Sequence, residues 1–456
     1  MLFDHVAEKR QEKNFTIWLQ SLLRKSPEHL AMHLAATHRA GKPIAACHWR
    51  NGSFNICYRV KYDDGFHAVV RFAALGRTIY RREKVDNEVA VMKYLRQYTS
   101  IPVPDVLGAG TCWAGPYIVM SFVEGESLAT LLQDPLQTGR PVLNPRISER
   151  ALKKAYREMA KLHLHLSKSE FDRIGALECN GESFTVTKRP LTYNMNELAT
   201  SANLPPQVFP TQPCDSADGY FTLLADQHFS HLQHQRNDAV TDQDDCRKKY
   251  VARCLFRSIV HNISREHCHG PFRLYCDDFR PSNVLVDLRD LHVTGVVDWE
   301  FTYVAPAEFA YIAPWWLLLQ SPEEWESNLH EFVERFVPRF RLFLEALREC
   351  EDEMATEGND GTPADSPRMS ARMERSLDNG LFWVCLAARY SSMFDEIYWT
   401  FIDDMYHGPF TSIEDRIGLL SEEERRDLDE FVLAKMKHVA KGPLETYYSV
   451  DNLVDL

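Results

Sequence analysis

Two hydrophobic periods alternate along this chain. From residue 14 to about 38, Phe15, Trp18, Leu19, Leu22 and Leu23 recur at helical spacing, predicting a helix packed by one face. Gly41-Lys42-Pro43 ends that pattern. The period then drops to two. Ile56, Tyr58, Val60 and Tyr62 alternate with Cys57, Arg59 and Lys61, which is a half-buried strand. Asp63-Asp64-Gly65 is a hairpin turn signal, and residues 67–72 form the return strand. A helix follows over 83–98, with Val85, Val89, Met92 and Leu95 on one face, then an apolar strand over 116–123 that stops at Gly125. A short helix is expected over 127–133. The clearest helix is 148–167, where Leu152, Ala155, Met159, Leu162 and Leu166 make one stripe and His163 and His165 stand beside it as structural or solvent-facing residues.

The pattern then fades. Residues 180–250 read as an irregular insertion with one helix near 220–233, because Pro205-Pro206, Pro210, Pro213 and the polar run 237–249 interrupt any period. Helices are expected again over 322–347, 369–401 and 421–437. Between the first two, residues 350–368 are acidic and rich in small polar residues, the composition of a disordered insertion. Asp395, Glu396, Asp403 and Asp404 read as a solvated acidic face in preference to a pocket for a cationic substrate.

Composition narrows the class. The chain has 456 residues, 45% hydrophobic and 26% charged, enough for a large core and two lobes. No apolar run approaches the roughly 18 residues of a membrane span, and residues 1–10 lack the apolar core of a secretory signal. The 11 cysteines are scattered without a C-x-x-C pair, so free thiols in a reducing, cytoplasmic setting are expected. A net charge of −13 argues against a nucleic-acid binder and is compatible with a cationic small-molecule partner. His267-Cys268-His269 invites a metal reading, but three adjacent side chains do not readily face one ion.

The candidate chemistry lies in Tyr275-Cys276-Asp277-Asp278-Phe279-Arg280-Pro281-Ser282-Asn283 and in Val296-Val297-Asp298-Trp299-Glu300. Apolar strands over 284–286 and 293–297 flank the polar turn Leu288-Arg289-Asp290. A hairpin of this kind brings Asp278 and Asn283 beside Asp298. Phosphoryl transfer needs a carboxylate that accepts the proton of a hydroxyl nucleophile, and oxygen ligands for the magnesium that neutralises the phosphates. Asp278 suits the first task, and Asn283 and Asp298 the second. Pro281 stiffens the loop, and Arg280 is placed to reach the transferring phosphate.

These two stretches resemble the catalytic and metal-binding loops of the protein-kinase-like superfamily, and most closely the aminoglycoside phosphotransferase and choline kinase-like family. There the first loop reads H-x-D-x-x-x-x-N and the second I-D-W-E or similar; here Cys276 takes the place of the His that braces the loop. The resemblance implies an α+β bilobal kinase-like fold. It has a helical extension over 1–40, a small antiparallel-sheet lobe over 41–125, and a larger, mainly helical lobe over 126–456 with catalytic loops at 274–300. It implies ATP and Mg2+ as cofactors and a small-molecule hydroxyl acceptor, with the 180–250 insertion as a candidate lid. Gly52 and Ser53 would cover the nucleotide phosphates. Arg71, where the family has Lys, would contact those phosphates and pair with Glu88. At the hinge between lobes, backbone groups near Ser121, Phe122 and Val123 would meet the adenine edge, with Met120 flanking its pocket. Aminoglycosides, choline-like amines, sugars, amino alcohols and acyl-coenzyme compounds all serve relatives as acceptors, so the acceptor stays open, as does the oligomeric state. A second reading, a pseudokinase acting as a binding module, is motivated by Cys276 and Arg71. A protein kinase fits less well, since no A-P-E-like segment with its activation loop follows Val297-Asp298-Trp299-Glu300.

Overall fold

The computed structural model describes residues 1–137, 139–261, 263–325, 328–356 and 367–442. Alternating and continuous apolar stretches in the first third build one antiparallel sheet. It contains β1 (Pro43–Asn51), β2 (Asn55–Tyr62), β3 (His67–Ala73), β4 (Val106–Cys112) and β5 (Gly115–Ser121), in the order β1-β2-β3-β5-β4. Ile56, Tyr58, Val60 and Tyr62 point to one face and are buried there against Trp18, Leu22, Leu34 and Ala35. Those four residues belong to two helices, α1 (His5–Arg24) and α2 (Pro27–His38), where one was expected. The break is local: Ser26 adopts φ 49°, and Pro27 opens the second helix because its ring cannot continue the first. The other face of the sheet packs on α3 (Arg81–Tyr98). This helix buries Val85, Met92 and Leu95 as expected, and also buries Lys84, Asn87 and Glu88.

The remainder is mainly helical. β6 (Glu126–Ser127) and α4 (Leu128–Leu132) lead to α5 (Glu149–Ser167), whose Ser148 hydroxyl accepts from Ala151 N. After β7 (Glu170–Phe171) the chain departs from expectation. The segment read as irregular is built from a hairpin, β8 (Ala176–Asn180) and β9 (Ser183–Lys188), then α6 (Tyr193–Thr200), α7 (Ala217–His234) and α8 (Gln243–Val260). The polar residues taken for loop are helix starts. Thr192, Ser216 and Asp242 accept bonds from Met195 N, Gly219 N and Asp245 N. The run 237–249 holds the first turns of α8, whose Cys246, Tyr250 and Val251 are buried.

β10 (Phe272–Cys276) lies between β7 and β13 (Thr302–Ala305), while β11 (Val284–Val286) pairs with β12 (Val293–Val296) and with β6. Then come α9 (Ala307–Ala310), α10 (Leu329–Thr356), α11 (Met369–Asp378), α12 (Leu381–Arg389), α13 (Phe394–Ile397), α14 (Asp403–His407), α15 (Ile413–Ile417) and α16 (Glu422–Ala440). Residues 350–356, expected as part of a disordered insertion, are the last turns of α10; residues 357–366 lie outside the described residues. The helix expected over 369–401 is divided at Gly380 (φ 77°) and again at Tyr390, which is extended. Of the acidic cluster expected as a solvated face, Asp404 is exposed and Glu396 half-buried, but the other two turn inward. Asp395 is buried and accepts from Arg253 Nη1 at 2.6 Å, and Asp403 is buried and accepts from Arg416 Nε at 3.0 Å. Both are internal ion pairs.

The result is the expected α+β arrangement, an antiparallel-sheet N-terminal part followed by a mainly helical C-terminal part. No helix among the described residues is long and apolar enough to cross a membrane. All 11 cysteines are free thiols.

Candidate active site

Two ladders set the geometry. β11 and β12 pair with Val284 opposite Val296, and one step beyond the ladder Val297 N donates to Asn283 O at 2.9 Å. Asp298 therefore emerges next to Asn283. β10 and β13 pair with Cys276 opposite Thr302, and Asp277 N donates to Phe301 O at 3.2 Å, which brings in the second loop from the other side. Pro281–Asn283 forms a single 3-10 turn. Across it, Asn283 Nδ2 donates to Asp278 O at 2.9 Å and to Asp278 Oδ2 at 3.0 Å, leaving Asn283 Oδ1 as the atom able to ligate. Asp298 (φ 67°) and Phe301 (φ 56°) both hold left-handed backbone, a strain that the two flanking ladders impose.

Arg71, near the end of β3, bridges two carboxylates. Its Nη1 donates to Asp298 Oδ1 at 2.8 Å and its Nη2 pairs with Glu88 from α3. Glu88 is completely buried behind Arg71. Arg280 stands in the same cleft, and its Nε lies 2.9 Å from Asp278 Oδ1. Cys276 is buried, and its Sγ donates to Glu300 O at 3.7 Å. Burial holds the thiol well above its ordinary pKa, so it remains an S–H donor. The thiol thus ties the end of β10 to the Glu300 backbone of the second loop. Trp299 is buried over Phe279, with ring centroids 6.1 Å apart, and its Nε1 donates to Val296 O at 3.0 Å.

Sequence reasoning missed a second layer. Lys84 of α3 is fully buried, pairs with Glu300 and donates to Asn55 Oδ1 at 2.9 Å. Asn55 Nδ2 donates to Glu300 Oε2 at 2.8 Å. Asp277 is also engaged: Tyr193 N donates to its Oδ2 at 2.9 Å, and Arg389 of α12 lies 3.5 Å from its Oδ1. Arg389 donates to Tyr275 Oη at 2.5 Å as well.

The charges are unevenly balanced. Burial pushes Asp278 up to about 6, and Arg280 and Asn283 offset only part of that. Burial also raises Asp298, with Glu300 as the nearest like charge and Arg71 acting against both. Glu300 goes the other way: burial raises it, but Lys84 and Arg71 outweigh that and hold it below its ordinary value. Three carboxylates thus crowd one end of the site, and the two nearest its opening sit uncomfortably as anions. A bound cation would relieve both. Among the described residues no three His, Cys, Asp or Glu side chains converge on a closed metal site. A two-ligand site completed by phosphate oxygens and water is the ordinary arrangement for magnesium, and Asn283 Oδ1 with Asp298 fits it.

These residues line a cleft of about 950 Å³. Gly52 and Ser53, in the β1–β2 turn, form one wall. A Cβ on Gly52 would meet nothing nearer than Asn55 O at 3.6 Å, so the local backbone does not demand glycine there. Val69, Met120, Phe122, Leu285 and Val297 form an apolar end. There Ser121 N and Phe122 N already donate to Asp105 O and His67 O, at 2.8 and 3.0 Å. Of the hinge residues expected to meet an adenine edge, that leaves Val123 to offer an N–H. At the opposite end stand Tyr193 and Glu197 of α6, Glu323 and Tyr390. Burial, then mutual repulsion, raises Glu197 well above its ordinary value.

The chain is similar to several known proteins. A curated relative, the clavilactone A biosynthesis cluster protein Y of Ampulloclitocybe clavipes, is 26% identical over 294 residues. That alignment takes in 58% of this chain and 62% of the relative, so the chain spans under two thirds of the relative's length. Among solved structures, the GDP complex of wild-type aminoglycoside 2'-phosphotransferase-IIIa is 11% identical, with 93% of this chain and 99% of that chain covered and a TM-score of 0.40. A macrolide 2'-phosphotransferase from Brachybacterium faecium is 12% identical over 84% of this chain and 98% of its own, with a TM-score of 0.39. The model of the phosphotransferase enzyme family matches residues 50–318, which hold the β1–β2 turn, Arg71, α3 and the loops bearing Asp278 and Asp298. That span is more than half of the 456 residues, and the chain belongs to the phosphotransferase enzyme family.

Proposed function

We propose that this phosphotransferase moves the γ-phosphoryl group of ATP to a hydroxyl of a small molecule, with Mg2+ as its metal. The observation that carries this reading is the meeting in one cleft of Arg71, from β3, with Asp278, Asn283 and Asp298, from the two loops that flank the β11–β12 hairpin. Asn283 Oδ1 and Asp298 would hold the metal. When bound, it would neutralise charge on the β- and γ-phosphates. The apolar end between Val69 and Leu285 suits a purine. Gly52 and Ser53 would cover the phosphates, and Arg71 would direct its charge toward them while Glu88 holds it in place.

At the other end, Asp278 orients the acceptor hydroxyl. As the new O–P bond forms and the bond from phosphorus to the bridging oxygen breaks, Asp278 takes the hydroxyl proton and passes it to solvent, and the nucleotide leaves as the diphosphate. A carboxyl whose pKa stands at about 6 is ionised at neutral pH yet basic enough to take a proton late in the reaction. Arg280, beside Asp278, is placed to stabilise charge on the transferring group. The small acceptor is supported by the Val297-Asp298-Trp299-Glu300 pattern and by a relative named for a biosynthesis cluster. The brace from Cys276 and the bridge from Arg71 weigh against a non-catalytic module.

The test is thermal stability with ATP, with and without Mg2+, alongside turnover. Wild type should show a magnesium-dependent rise in melting temperature that Asp298→Ala loses. Asp278→Ala should keep that rise and lose turnover, by the roughly 10²–10⁴-fold a general base supplies. Wild-type protein that shows no shift with MgATP would sink the reading.

A further inference from the structure

Lys84 has no place in the mechanism above, yet it is an ammonium group with no exposed side-chain surface. A buried amine is costly unless its charge and its protons are all answered. If packing α3 on the sheet were the only requirement, an apolar side chain would serve at this position. The partners of Lys84 indicate what else is served. Its Nζ pairs with Glu300, two residues beyond Asp298, and donates to Asn55 Oδ1 at 2.9 Å. Asn55 is the first residue of β2, directly after the turn that carries Gly52 and Ser53, and Gly52 N donates to Asn55 O at 2.9 Å. Asn55 Nδ2 closes the triangle on Glu300 Oε2 at 2.8 Å. Three elements that share no backbone ladder meet at one cation: the β1–β2 turn, α3 and the loop bearing Asp298. A ring contact runs in parallel, Phe54 of the turn packing edge-on against Phe301 at 5.1 Å.

We infer that Lys84 is a positioning residue which, through Asn55 and Glu300, clasps the phosphate-covering turn to the Asp298 loop and so sets the distance between the two walls of the phosphate site. The inference that phosphates lie between those walls rests on the proposed function; the clasp itself does not. Asn55 is the informative member, since it joins the turn to the ion pair through both ends of its amide. Asn55→Leu removes the link of the turn while the Lys84–Glu300 pair remains. Lys84→Met alone leaves the buried Glu300 carboxylate without its ion-pair partner and is prone to misfold, so Lys84→Met/Glu300→Gln is the second variant, removing both charges together.

Two readouts are needed. In the protein without nucleotide, amide hydrogen exchange over residues 50–57 and 298–302 should quicken on the order of tenfold in both variants, as for loss of a net hydrogen bond. Exchange in α5 and α10 should stay as in wild type. In steady-state hydrolysis of MgATP without an acceptor, KM for MgATP should rise on the order of tenfold while kcat changes by less. Wild-type exchange rates at both segments, or faster exchange throughout the molecule, would overturn the clasp. Failure of wild type to bind MgATP, with the exchange changes still present, would overturn the proposed function and leave the clasp standing.

Discussion

Arg71→Lys tests whether the arginine is a substitute for the family's lysine or a part fitted to this site. Arg71 makes two ion pairs from one planar group, with Asp298 Oδ1 at 2.8 Å and with Glu88. A lysine brings a single ammonium on a narrower stem and cannot span two carboxylates on opposite sides of a guanidinium. It would keep Glu88, which is fully buried and cannot be left alone, and release Asp298, whose side chain is 30% exposed to the cleft. A hydrogen bond to a charged group contributes about 1.5–3 kcal/mol, and about 1.36 kcal/mol is tenfold in rate. The kcat/KM for MgATP hydrolysis should therefore fall roughly ten- to a hundredfold. The urea midpoint should drop by a corresponding amount with an unchanged slope. A variant as fast as wild type, or faster, would show that the arginine bridge does not position Asp298. A stability loss without a rate loss would reduce Arg71 to a structural ion pair.

Two further expectations follow from the same site. Asp278 stands at about 6 when folded, against about 3.9 in an unfolded chain, because burial disfavours its anion. The folded state therefore binds more protons between those values, and the carboxylate costs stability that develops from about pH 4 to about pH 6 and persists above. Asp278→Asn should accordingly melt higher than wild type at pH 7.5 and match it near pH 4, while wild-type hydrolysis of MgATP falls as pH drops through about 6. Equal melting temperatures at pH 7.5 would refute the strained-carboxylate account. Cys276 acts through its S–H donor to Glu300 O; Cys276→Ser should keep most of the activity, whereas Cys276→Ala should lose about 0.5–1.5 kcal/mol of the brace, up to roughly tenfold in rate. Equal rates for the two variants would mean that the thiol braces nothing.

What the sequence made legible was what lies close together in it. Asp278, Asn283 and Asp298 flank one hairpin, so their meeting follows from local strand and turn signals, and Arg71 and Glu88 follow from the next strand and helix. Lys84 was not legible, because a lysine four residues before Glu88 on a helix has the spacing of an ordinary surface pair. Its true partner, Glu300, is distant in the chain, and no periodicity reports that. Asn55 was hidden in the same way, as a polar residue at a strand start. The 180–250 segment was misread because helix caps and loops draw on the same residues. Thr192, Ser216 and Asp242 carry no mark that distinguishes them until the buried faces behind them are seen. The breaks at Ser26 and Gly380 are single-residue events that the surrounding helical pattern conceals.

Asp277 gives the catalytic loop a dependence that the family-matched span does not contain. Its buried carboxylate is answered by Arg389 at 3.5 Å and by Tyr193 N, and burial still leaves it above its ordinary pKa. Arg389 lies well beyond residue 318, where the family match stops. A chain cut there would keep every residue of the two signature loops, yet it would leave the buried Asp277 carboxylate beside Asp278 without its cationic partner. The smallest portion able to hold the catalytic loop in shape therefore runs at least through α12. Variation in these C-terminal helices is then not neutral decoration but a means of tuning the loop from behind.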